Sequence, residues 1–157
     1  MADTAVTIAR SKAYILSLQE QARGYSHKFT VNYSDVAFGS GATDTVTMTL
    51  GALPSTWVVE NALVNVSTAF AGTTAFTVQV GTTTNTSAFV TATSVKTAGV
   101  IGSPLAATLT NATGTASANL VAIFTNATGG SPSALTAGAL DIYLNIIDLS
   151  GAGPKLG

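Results

Sequence analysis

No cysteine occurs among the 157 residues of the chain, so a disulfide framework and a thiolate metal cluster are both excluded. Stability must come from packing and hydrogen bonds. Charge is nearly as scarce: Asp, Glu, Lys and Arg make up 8% of the residues, against about a quarter in an ordinary soluble chain. The net charge of −1 and the absence of clustered lysine or arginine argue against nucleic acid and against an anionic membrane surface. The mean hydropathy of +0.44 does not come from a membrane-spanning helix. Such a helix needs about 18 apolar residues in a row, and threonine or glycine interrupts every candidate run. The stretch at residues 13–18 is likewise too short for the apolar part of a signal peptide, and no such signal is expected.

Scarcity extends to the residues that carry chemistry. His27 is the single histidine, so a Ser-His-Asp triad would have to be built on it, and a Cys-His pair cannot exist. Its place at the junction of two unlike segments is poor for a general base, and an exposed junction residue is expected. Asp35, Asp44, Glu60, Asp141 and Asp148 are the carboxylates outside the first 28 residues. A glycosidase needs two of them about 5–10 Å apart. Asp141 and Asp148 lie an odd number of positions apart, on opposite faces of one strand and roughly 20 Å distant by strand rise. Asp35 and Asp44 bracket a glycine-containing loop, without the alternating acidic pattern that a calcium loop requires. Gly39-Ser40-Gly41 leads into threonines and a strand, whereas phosphate-cradling glycine motifs open a helix. No catalytic, cofactor-binding or metal-ligating residue is assigned, and a non-enzymatic role without a small-molecule substrate is expected.

What the chain does contain is threonine, 26 residues of it, with alanine, glycine, serine and asparagine. From Phe29 onward the apolar residues recur with a period of two. Phe29, Val31 and Tyr33 alternate with Thr30, Asn32 and Ser34, and residues 45–50 alternate hydroxyl and apolar side chains without a fault. Further strands are expected at 57–66, with Val58, Ala62, Val64 and Val66 on one face beside Glu60, and at 76–80, 88–95, 105–109, 119–125 and 139–149. Turn-forming clusters at 71–74, 82–87, 111–118, 126–130 and 150–154 separate them. Seven or eight short strands at such spacing predict an all-β, antiparallel β-sandwich or barrel over residues 29–150, followed by a flexible tail at 151–157. The recurrence of Thr-Asn-Ala-Thr-Gly at 110–114 and 125–129 occurs only twice, too few for a solenoid.

Residues 1–28 differ. They hold Asp3, Arg10, Lys12, Glu20, Arg23 and Lys28, six of the thirteen charges of the chain. Ile8, Ser11, Ile15, Leu18 and Ala22 form a weak helical stripe with Gly24 as its stop, so an N-terminal arm, helical or extended, is expected. Between Asn61 and Leu140, in contrast, Lys96 is the one charged residue. Colloidal stability rests largely on interspersed charge, so a surface this neutral suits permanent contact with other protein.

The segment from Lys28 to Leu149, running from Phe29-Thr30-Val31-Asn32-Tyr33-Ser34-Asp35-Val36 to Asp141-Ile142-Tyr143-Leu144-Asn145-Ile146-Ile147-Asp148-Leu149 behind a charged arm, resembles the decoration or cement proteins of tailed-bacteriophage capsids. The resemblance implies a jelly-roll-like sandwich, commonly trimeric and without cofactor. It also implies a place on the outer surface of a virion, where major capsid subunits meet, after synthesis in the host cytoplasm. Arg10, Tyr14, Ile15, Leu18, Arg23 and Tyr25 are then the expected arm contacts. An alternative from another class is a carbohydrate- or receptor-binding sandwich of a fibre, a tail or a secreted surface protein, with Trp57 as glycan contact. The competing expectation for Trp57 is that it covers the end of the core.

Overall fold

The computed structural model describes residues 25–36, 45–101, 118–128 and 132–148. Eight strands occur among them: β1 (His27–Asn32), β2 (Thr45–Ala52), β3 (Trp57–Ala71), β4 (Ala75–Thr82), β5 (Val90–Ser94), β6 (Gly99–Ile101), β7 (Asn119–Thr128) and β8 (Ala137–Asp148). They form two antiparallel four-stranded sheets with the orders β1-β8-β3-β6 and β2-β7-β4-β5.

The pairing follows a simple rule. First pairs with last, second with seventh, third with sixth and fourth with fifth. That is the pattern of one long antiparallel ribbon folded at the β4–β5 turn. Rolling it up brings β8 against β3 and β7 against β4, which completes both sheets. The result is the jelly-roll form of the β-sandwich, with Greek-key connections.

The alternation of the sequence becomes the two layers of the core. Phe29 and Val31 of β1, Leu140, Ile142 and Leu144 of β8, and Ala62, Val64, Val66 and Phe70 of β3 point inward from the first sheet. Val46, Met48 and Leu50 of β2, Ala122 and Phe124 of β7, and Phe76, Val78 and Val80 of β4 meet them from the second. Phe70, Phe76 and Phe124 stack across the gap with ring centroids 5.5 to 6.4 Å apart. Burying each ring contributes about 2–3 kcal/mol. Gly138 faces this trio with a φ of +145°, and a Cβ there would stand 2.4 Å from the Phe70 ring. Val95 ties the sheets at their margin, accepting from Phe70 N and donating to Phe76 O at 3.0 Å each.

Three local expectations are corrected, and one strand was not expected. Tyr33 does not continue the inward face of β1. Residues Tyr33–Val36 form one helical turn, Asp35 Oδ2 accepts from Asn32 N at 2.8 Å as in a capping box, and Tyr33 lies exposed. In β3 the residue turned inward is Val59 rather than Val58, because the register with β8 shifts between Val59 and Asn61. This bulge at Glu60 re-phases the strand and leaves Glu60 exposed. Asn126, expected in a turn, lies within β7 and is fully buried. β6 had no counterpart in the alternation. The strand expected at 105–109 and the tail at 151–157 fall outside the described residues.

Candidate functional site

With one face of each sheet turned inward, the other two faces are the broad surfaces that the described strands offer to a partner. On the second sheet the register lines up Thr45, Thr125, Thr77 and Ser94 in one row across β2, β7, β4 and β5. Thr47, Ile123 and Gln79 form the next row. The Thr77 hydroxyl donates to Thr125 O at 3.4 Å. No ionisable side chain stands in β2, β7, β4 or β5. Beyond these rows the chain after β4 folds over the sheet. Gly81 makes room for it, since a Cβ there would meet Asn85 O at 2.2 Å and Thr86 O at 2.7 Å. Gln79 Nε2 holds the crossing by donating to Thr86 Oγ1 at 2.9 Å, and Val121, paired with Gly81, is buried despite its outward register. Lys96 turns its amine onto the Thr73 carbonyl, so the one cation in this half of the sequence is tied to the β3–β4 turn.

The outer face of the first sheet is of another character. Lys28 lies 3.4 Å from Asp141 Oδ2, and the Thr30 hydroxyl donates to Asp141 Oδ1 at 2.6 Å. The Lys28 amine also stands 5.4 Å from the centre of the Tyr143 ring, against which Tyr25 packs at 5.6 Å. Burial pulls the Lys28 amine downward in pKa, but the Asp141 carboxylate and the Tyr143 phenol outweigh it, and the net shift is upward. Asn145 Nδ2 donates to Glu60 Oε2 at 2.6 Å. The groups on this face therefore largely satisfy one another. The signal for the cluster lies in the sequence, since Lys28 and Thr30 share one parity and Asp141 and Tyr143 share another, but only the β1–β8 register brings them together.

His27 and Trp57 sit at one end of the sandwich, with ring centroids 6.2 Å apart. Trp57 is half-buried against the core, where a residue covering its end belongs. His27 is half-buried as well, not an exposed junction residue, and burial holds its pKa below the ordinary imidazole value. Ser26 Oγ lies 2.7 Å from His27 Nδ1 and accepts from Ile146 N at 2.7 Å, which pins the entry of the chain to β8. Among the described residues no group of three His, Asp or Glu side chains is placed to hold a metal ion. No described helix is long and apolar enough to cross a membrane.

Of the arm contacts expected, Arg10, Tyr14, Ile15, Leu18 and Arg23 lie outside the described residues. Tyr25 is half-buried on Tyr143, and the chain is already bonded to β8 at Ser26, two residues before the arm was expected to end. Comparison with protein-family models, with curated proteins and with solved structures finds no significant match to this chain.

Proposed function

We propose that this protein is a virion structural component, a decoration or cement protein that attaches to the outer surface of a phage capsid and stabilises the shell by protein contact. The observation that carries the reading is the outer face of β2-β7-β4-β5, whose two rows Thr45-Thr125-Thr77-Ser94 and Thr47-Ile123-Gln79 present hydroxyls, one amide and Ile123 without a single ionisable group. Jelly rolls serve capsids, lectins and enzymes alike, so the fold by itself decides nothing. The neutral face is what supports contact with other protein. A surface lacking charge has little means of repelling its neighbours, and it loses no ionic hydration when covered.

The mechanism in this reading is mechanical. Copies bury neutral faces against each other, as three around one axis in the form the family resemblance implies, and against the major capsid protein. The N-terminal arms spread over neighbouring subunits. On a lattice the effective concentration of each added contact is high, so many weak contacts sum to firm attachment. Co-sedimentation of the full-length chain with expanded empty capsids tests the proposal. Saturable binding is expected, weakened when residues 1–24 are deleted while the cooperative β-type melt is kept. A chain that stays in the supernatant at every capsid concentration would refute it.

A further inference from the structure

The margins of the two sheets are not protected alike. A free margin leaves a row of unpaired N–H and C=O groups, and folded proteins ordinarily blunt it with charge, proline, a bulge or brevity. Among the described residues β1 and β6 border the first sheet, and β2 and β5 the second. β1 carries Lys28, and β6 is three residues long. β5 has five residues, and its register with β4 shifts between Val78 and Val80. β2 has none of these protections along most of its length. Its eight residues, Thr45–Ala52, include no charge and no proline, and its pairing with β7 stays regular from Thr45 to Thr49. No described strand pairs with its other side.

We infer that the free margin of β2 pairs antiparallel with β2 of a second copy of this chain, about a twofold axis at Thr47, making one continuous sheet from two. The occupant follows from what the margin offers. Main-chain donors and acceptors at strand spacing are satisfied by another strand. A second β2 suits the side chains as well, because opposed residues of an antiparallel pair share a face. Centred on Thr47, the pairing sets Thr45 opposite Thr49 of the second copy and Val46 opposite Met48. Hydroxyls then meet on the outer face, and the apolar side continues from core to core. At the axis each residue meets itself, where any charge would repel its own image, and β2 has none. The contact is isologous and thus separate from a threefold one. It rests on the self-association part of the reading above and needs no capsid.

Light scattering of the full-length chain at fixed concentration tests it. An even number of copies is expected for the wild type, halved both by Thr47→Lys and by Thr47→Glu, with circular dichroism reporting an unchanged fold. Mixing the two variants restores the wild-type mass, since lysine then faces glutamate at the axis. Equal masses for all three chains, or no recovery on mixing, would overturn the inference. Should the charged variants fail to fold, Thr47→Cys in this cysteine-free chain decides: oxidation with diamide gives a covalent dimer, whereas Thr91→Cys on β5 does not, and equal cross-linking of both overturns it. Capsid binding is measured apart. Halved masses without capsid binding sink only the capsid reading, and capsid binding with unchanged masses sinks only the pairing.

Discussion

Replacing Gly138 by alanine puts a methyl group where the Phe70 ring already is, 2.4 Å from Cδ1 and 2.5 Å from Cγ. Phe70 has little freedom to retreat, because it is fully buried, stacked on the Phe76 ring and packed against that of Phe124. Forcing an extra methyl into a packed core costs about 1–3 kcal/mol. Holding a non-glycine residue at a φ of +145° adds a backbone term, about 1–3 kcal/mol at such positions. Gly138→Ala is therefore expected to lose about 3 kcal/mol, a fall in Tm of about 10 °C for a domain of this size. The steric part can be separated from the backbone part. Phe70→Ala, which removes the clashing Cγ and Cδ1, alone costs about 3–5 kcal/mol for the lost ring packing. It also vacates the space the methyl needs, so the double variant should be more stable than the sum of the single losses by about 1–2 kcal/mol. Urea unfolding of all four chains, at one protein concentration so that self-association does not shift the midpoints, measures the cycle. Additivity within about 0.5 kcal/mol would refute the claim that Gly138 is glycine to make room for Phe70.

Two further predictions concern buried polar groups. Asn126 is fully buried in β7, and neither Nδ2 nor Oδ1 has a hydrogen-bond partner among the described residues, so Asn126→Leu, close to it in shape, is expected to raise stability by about 1–2 kcal/mol, read as a higher urea midpoint. A lowered midpoint would mean that the amide is satisfied in solution. His27 has its pKa depressed by burial, so the unfolded chain binds the proton more readily than the folded one. Stability should then fall as the pH drops below the unfolded value of 6.5 and level off below the folded one. Urea midpoints at about pH 7.5, 6 and 5 should show this slope for the wild type and a flatter one for His27→Gln; identical slopes would remove His27 as the cause.

The strands that could be read from the sequence were those in which the period of two runs unbroken. Residues 45–50 and 76–80 alternate throughout, and both became strands with Val46, Met48, Phe76, Val78 and Val80 inward. Alternation fails where the backbone inserts a residue. The bulge at Glu60 exchanges Val58 for Val59 in the core, and nothing in a count of twos announces it. It fails again at Tyr33, where the capping of Asn32 by Asp35 ends β1 two residues early. Periodicity also assigns faces and not neighbours. The neutral rows of the second sheet and the Lys28–Asp141–Tyr143 cluster of the first became visible only with the register. Of the residues singled out beforehand, Trp57 was read in the place it occupies, at the end of the core, while Tyr25 proves to be packed on Tyr143.

The pairing of the first strand with the last sets the order in which the molecule can be made. His27 finds its place opposite Leu144, and Asn32 opposite Ala139, so β1 cannot be seated until β8, more than 100 residues later, has left the ribosome. The partners available early to a nascent chain are its sequence neighbours, and of these only β4 and β5 are joined side by side. Closing loops of such length makes folding slow. β2 must therefore wait for β7 and β1 for β8, and the same lack of charge that suits the finished surface to contact does little to keep these waiting strands from associating.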